Sequence, residues 1–290
     1  MKVAGFTFIR NALIYDYPIV EAIRSVLPLC QEMVVAVGQS DDATLQLIKD
    51  IGDPKIKIIE TVWDDSLREG GQVLALETDK AFKAISSDMD WAFYIQGDEV
   101  LDDNSHKAVL KAMQQYQSDK QVDGLLFNYR HFYGSYDYVA DARGWYRREI
   151  RVVKNRSDIF SYGDAQGFRK GNNEKLNVKL IDAYVHHYGW VKDPRAMQRK
   201  QEQFNKYWHD DEWVDQHVAK AEAFDYSAIR SLQRYQGEHP EVMKKRIRKK
   251  NWQFDHDISR NQYTFKDRIS RLVEKTTGRR IWEYRNYRIV

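Results

Sequence analysis

The stretch Trp91-Ala92-Phe93-Tyr94-Ile95-Gln96-Gly97-Asp98-Glu99-Val100 changes character at its middle. It begins as an apolar, aromatic run suited to a buried strand, then turns into a glycine followed by two adjacent carboxylates. In a parallel sheet, ligands gather at the carboxyl ends of strands. Two acids at such an end are a candidate site for a divalent cation that takes oxygen ligands. A strand running into an acidic turn and helix cap is the ordinary alternative, so the surrounding chain has to decide.

Upstream, strand and helix patterns alternate. Residues 3–9 read as a strand closed by Arg10-Asn11, and after Pro18 the residues Ile19, Ile23, Val26 and Leu27 share one helical face. Residues 33–37 form a second apolar strand, which opens into Gly38-Gln39-Ser40-Asp41-Asp42-Ala43-Thr44. There Ser40, Asp41 or Asp42 can cap a helix carrying Leu45, Ile48 and Ile51. Gly52-Asp53-Pro54 breaks that helix before a third strand at 56–59. Arg68-Glu69-Gly70-Gly71 then leads into a helix with Leu74, Ala81 and Ile85 on one face, and a further helix after Glu99 carries Val109, Met113 and Tyr116. This alternation predicts an α/β fold with a mainly parallel sheet and helices on both faces. It also gathers three loops, Arg10-Asn11, 38–44 and 96–99, at one sheet edge, the geometry of a nucleotide site.

Downstream, residues 124–131, 149–154 and 178–187 read as strands separated by long aromatic and glycine-containing loops, suggesting an acceptor surface or lid. From Pro194 the chain reads as helical and strongly charged. Phe265, Ile269, Leu272, Val273 and Thr276 form a stripe that Gly278 can end, and an aromatic tail runs from Trp282. With 290 residues, 42% hydrophobic, the chain can bury a full core. Its net charge of only +3 excludes a generalised polyanion binder, and no nucleic acid is expected as a partner. The single cysteine, Cys30, excludes an internal disulfide framework and suits a reducing compartment. No apolar run reaches membrane-spanning length; a cytoplasmic protein is expected, with attachment to the inner face of a membrane left open.

In this order the motifs resemble the family 2 glycosyltransferases of GT-A fold, over roughly the first 190 residues. Phe8-Ile9-Arg10-Asn11 with the following helix resembles the family's first strand and helix. Residues 34–37 with Ser40-Asp41-Asp42 resemble its second strand and acidic turn, and Gly70-Gly71 with 91–100 resembles the glycine loop and Asp-x-Asp strand end. The resemblance implies a catalytic domain at 1–190 and a helical, basic extension at 191–290. It further implies a nucleotide-diphospho-sugar donor, Mg²⁺ or Mn²⁺, and transfer with inversion to a glycan, lipid or protein acceptor, as in cell-envelope polysaccharide synthesis. Donor contacts are expected from Phe8, Arg10, Asn11, Ser40, Asp41, Asp42, Gly70, Gly71 and Gln96, and metal ligands from Asp98, Glu99 and His187.

Two departures stand out. Gln96 occupies the place of the first Asp and brings an amide in place of a charge, and Gly38-Gln39 stands where acids that read the nucleotide are usual. Asp41 and Asp42 then become candidates for that task, with helix capping as the equal alternative. Glu99 is the natural substitute ligand, or a cap. In His186-His187-Tyr188-Gly189, neighbouring strand residues face opposite ways, so at most one histidine can face the donor; the resemblance favours His187. Asp164, between glycines in a loop, is the first choice for the base that takes the acceptor proton, and Asp141 and Glu149 compete with it. Arg68, Lys192 and Arg195 are candidates for neutralising diphosphate. The basic run Lys244-Lys245-Arg246-Ile247-Arg248-Lys249-Lys250 is a solvated helix face or a contact with anionic headgroups. Two rival functions remain open: a binding protein that has lost the chemistry, and a sugar-phosphate nucleotidyltransferase, for which the first loop lacks a glycine.

Overall fold

A computed structural model describes residues 1–67, 69–218, 220–278, 280–281 and 283–290. Three strands, β1 (Val3–Ile9), β2 (Glu32–Gly38) and β3 (Ile56–Thr61), with β4 (Trp91–Tyr94), lie parallel in the order β3-β2-β1-β4. Helices α1 (Ile19–Val26), α2 (Thr44–Lys49), α3 (Gln72–Lys83) and α4 (His106–Gln115) complete this half. Because successive strand residues face opposite sides, β1, β2 and β4 feed two cores. Val3, Met33, Val35 and Phe93 pack with Ile19, Ile23 and Met113 of α1 and α4, whereas Ala4, Phe6, Val34 and Tyr94 pack with Val73, Ala81 and Phe82 of α3. The expected α/β, GT-A-like layering is therefore built by strands that are apolar on both faces.

The later strands are β5 (Glu99–Leu101), β6 (Gly124–Tyr133), β7 (Ser135–Ala140), β8 (Arg148–Lys154), β9 (Ile159–Tyr162), β10 (Gly167–Lys170), β11 (Glu174–Lys175) and β12 (Asn177–Trp190). β8 runs antiparallel to β4, and β6 antiparallel to β8; β12 lies parallel to β6 on its other edge and antiparallel to β5. The β5–β12 pairing brings the end of the Trp91–Val100 stretch against His186 and His187, with Val100 opposite His186 and Glu99 opposite His187.

The C-terminal region carries the expected helices, α5 (Pro194–Asn205), α6 (Asp211–His217), α7 (Lys244–Arg248) and α8 (Phe265–Thr277). It also returns two strands to the main sheet, which the sequence did not suggest. β13 (Leu232–Arg234) pairs with β7, and β14 (Arg288–Ile289) pairs with β12. Leu232–Arg234 and Arg288–Ile289 thus pair with strands of residues 1–190. Among the described residues no helix is long and apolar enough to cross a membrane.

Candidate active site

A cavity of about 530 Å³ opens where β1 and β4 end. Asp98, the residue after Gly97, keeps its backbone in the ladder, since Tyr188 donates its N–H to the Asp98 carbonyl at 2.8 Å. This holds the carboxylate against β12. Asp98 Oδ2 lies 3.8 Å from His187 Nε2 and 3.1 Å from Lys200 Nζ, and Lys200 also donates to the Gly189 carbonyl at 2.9 Å. Burial would raise the Asp98 carboxyl, but the positive charge of Lys200, foremost among its neighbours, outweighs it and holds it well below the usual carboxylate range. Gly189 is needed here for space. A Cβ on it would lie 2.6 Å from both Asp98 Oδ2 and His187 Nε2, filling the point on which the two atoms converge.

Hydrogen bonding fixes the His187 tautomer. His131 Nε2 lies 2.7 Å from the Tyr146 carbonyl, which can only accept, so this nitrogen carries a proton. Burial holds His131 well below its ordinary pKa and therefore neutral, which leaves its Nδ1 as an acceptor. That atom is 3.1 Å from His187 Nδ1, which must donate. Burial lowers the His187 pKa too, so the imidazole is neutral and its Nε2 lone pair faces Asp98. A carboxylate oxygen and an imidazole nitrogen meeting over an open glycine fit a Mg²⁺ or Mn²⁺ ion. Among the described residues no group of three or more His, Cys, Asp or Glu side chains converges. Any further ligands would come from substrate and water.

Part of the cavity lining is aromatic. Phe8 and Trp63 lie 5.7 Å apart between ring centroids, as do Trp63 and Tyr207, and the Arg10 guanidinium lies 5.6 Å from the Trp63 ring. Arg10 also pairs with Asp65 at 2.7 Å. Three residues of the lining keep a buried N–H without a partner: Arg10 Nε, Trp208 Nε1, and Trp63 Nε1, which lies against Gly38. A buried, unanswered donor costs about 1–3 kcal/mol.

The predicted donor residues divide. Phe8, Arg10 and Gln96 line the cavity. Gln96 donates to the Tyr94 hydroxyl and the Ala165 carbonyl at 3.3 and 3.2 Å, tying the strand end to the Asp164 loop. Asn11, Ser40, Asp41 and Asp42 do not line it; they fasten two loops together. Ser40 Oγ accepts from Asn11 N at 3.0 Å, the Asn11 and Asp41 groups bond reciprocally at 3.1 and 2.7 Å, and Asp42 accepts from Leu13 N and Ile14 N at 2.9 Å. Gly70 and Gly71 do not line it either. Gly71 has φ +70° and lets the Asp164 loop approach, since a Cβ there would lie 2.8 Å from Asp164 Cβ.

Glu99 is placed differently from expectation. It is fully buried and bidentate with Arg151 at 2.7 and 2.8 Å, and it also accepts from the Tyr129 hydroxyl at 2.9 Å and from Gln96 N at 3.1 Å. With both oxygens committed it is a structural counter-ion and lies outside the cavity lining. Removing one partner of such a buried pair costs about 3–5 kcal/mol.

Of the three base candidates, Asp164 lines the cavity, and burial raises its carboxyl. Glu149 stands behind it, bonded to Gln166 at 3.0 Å. Asp141 lies in a separate hollow of about 720 Å³, where Arg271 and Tyr263 hold it. Lys192 is buried and donates to the Asp16 carbonyl at 2.8 Å; burial and then Lys200 push it down to about 7. Arg195 is exposed and pairs with Glu222, and Arg68 and Trp282 fall outside the described residues. The sequence reading missed His131, Lys200, Gly189 as a spacer, Trp63 and Trp208.

No family model and no curated protein matches the sequence. Solved structures with a similar course of chain include S. aureus TarS, at 13% identity and a TM-score of 0.44 over 70% of this chain. This chain spans 39% of that one. A shorter TarS structure, residues 1–349 in complex with UDP, is 13% identical with a TM-score of 0.43, covering 76% of this chain and 70% of that one. Glucosyl-3-phosphoglycerate synthase from Mycobacterium tuberculosis, in complex with Mn²⁺, UDP and glucosyl-3-phosphoglycerate, is 17% identical with a TM-score of 0.30, covering 46% and 45%.

Proposed function

We propose that the chain is a nucleotide-sugar glycosyltransferase, moving a sugar from a nucleoside-diphosphate donor to an acceptor hydroxyl with inversion at the anomeric carbon. The observation that carries this is one cavity lined by two unlike groups of side chains. An oxygen–imidazole pair with Lys200 is one, and aromatic rings beside the Arg10 guanidinium are the other. A nucleoside diphosphate has that polarity: a flat base and acceptor-rich ribose, then clustered negative charge.

In this reading Phe8, Trp63 and Tyr207 flank the base, and the Arg10 guanidinium brings positive charge beside it. Asp98 and His187 hold Mg²⁺ or Mn²⁺, which when bound supplies positive charge to a departing diphosphate. Lys200 brings fixed positive charge to the same place and neutralises Asp98 before the donor arrives. Asp164 accepts the proton of the attacking hydroxyl, a task helped by a carboxyl raised through burial.

The test is turnover of a panel of UDP-, GDP- and TDP-sugars with and without Mn²⁺, comparing the parent with Asp98→Ala. Metal-dependent release of nucleoside diphosphate by the parent, lost in the variant, is expected. A parent that neither binds nor turns over any donor, or equal turnover by the variant, would sink the enzyme reading.

A further inference from the structure

Helix α8 is built inside out. At 100° per residue, Phe265, Ile269, Leu272 and Thr276 fall on one side, and Asp267, Ser270, Arg271 and Glu274 on the other. The polar side faces the protein. Ser270 is buried, Arg271 bonds Asp141, and Glu274 bonds Arg147 at 2.6 Å and Arg280 at 2.9 Å. The apolar side faces out, with Phe265 78% and Leu272 65% exposed. A helix on a globular surface normally presents the reverse arrangement.

From this we infer that α8 docks on an anionic lipid surface. Its flanks select that occupant. Lys266 borders the apolar stripe on one side and Arg268 and Lys275 on the other, all exposed, which is the pattern of a helix lying in a bilayer interface with its cations at headgroup level. A second copy of the chain is a poorer fit. The helix has 13 residues, about 20 Å of length, and one stripe covers far less than the roughly 800 Å² per partner that a stable dimer buries. Partition into a lipid interface needs no such minimum. Ion pairs under the helix hold it to the body, so docking would bring the whole chain to the surface. This placement does not depend on the proposed activity.

The experiment is co-sedimentation of the full chain with vesicles of phosphatidylcholine, with and without about one-third phosphatidylglycerol. The parent is expected to pellet with the anionic vesicles and to be released by high salt. Phe265→Ser with Leu272→Ser should weaken partition about tenfold or more, and Lys275→Ala alone about fivefold. All these side chains are exposed, so circular-dichroism melting should match the parent. Absence of parental binding, or equal binding by the double and Lys275 variants, overturns the inference. A concentration-dependent dimer that the double variant abolishes would give the stripe to a second copy and overturn it equally.

Discussion

On one face of the β5–β12 pair stand Asp98, His187 and Lys200, and on the other Asp102, His186 and Arg130. They are the same three kinds of side chain at nearly the same spacing. The acid–histidine distances are 3.8 and 3.5 Å, and the acid–cation distances 3.1 and 2.9 Å. What differs is how completely the protein answers them. Asp102 also caps a turn through Asn104 N at 3.0 Å. The second nitrogen of His186 meets the Tyr188 hydroxyl at 3.2 Å, and that hydroxyl meets His239 at 2.8 Å. Stacking of Phe132 on Tyr188 seals the group. Around Asp98 the protein leaves an open glycine and a cavity instead. Residue type does not separate a structural cluster from a reactive one; saturation of the polar atoms does.

The largest expected effect comes from treating the two acids alike. Asp98→Ala should lower transfer roughly 10²–10³-fold, measured where the variant is fully folded, since it also leaves the buried Lys200 without its partner. Asp102→Ala should cost about 1–3 kcal/mol of stability, measured by chemical denaturation, and leave transfer within a few-fold. If Asp102→Ala were the more damaging to transfer at full folding, the contrast between the two faces would be wrong. Gly189→Ala comes next. A methyl group 2.6 Å from both Asp98 Oδ2 and His187 Nε2 should weaken Mn²⁺ binding and transfer together, by about a hundredfold. Unchanged metal affinity in that variant would mean that the gap over Gly189 is not the cation's place.

His131→Ala tests the tautomer. With its acceptor gone, His187 loses what holds its proton on Nδ1, and metal affinity should fall about 10–100-fold. His131→Asn, which restores a side-chain acceptor, should recover part of that loss, measured as the Mn²⁺ concentration giving half-maximal turnover. No recovery by Asn and loss of stability in both variants would indicate a packing role only.

The parallel half of the fold was legible because β1, β2 and β4 are apolar on both faces, a pattern that only a sheet covered on both sides accommodates. That Asp98 lines a cavity was legible because an acidic turn after a buried strand, common in itself, here meets converging loops at the sheet edge. Glu99 was not, because its meaning comes from Arg151, 52 residues later. Lys200 is one cation among many in a charged helix, and nothing local marks it as the one that reaches Asp98. His131 had a faint signal, a histidine near the end of a predicted strand, but its importance lies in the β6–β12 register that sets it beside His187. Asp41 and Asp42 sat correctly in a converging loop, yet the loops converge by bonding to each other.

Glu149 lies between the two cases and so tests the saturation criterion most finely. Gln166 answers one of its oxygens; the other, buried, has no partner. Burial pushes its carboxyl up to about 8, against the neighbouring positive charge of Arg151. A carboxyl raised in the fold is protonated there while the unfolded chain has already released its proton. Stability is therefore full below the unfolded pKa of about 4.5 and is lost as pH rises toward 8. Glu149→Gln keeps the shape and removes the titration. The variant should match the parent at acid pH and melt at a higher temperature above pH 8, the most specific of these effects. Should it also abolish transfer while Asp164→Asn leaves transfer intact, the proton acceptor would be Glu149, and an unanswered oxygen behind the cavity wall would count as much as one lining it.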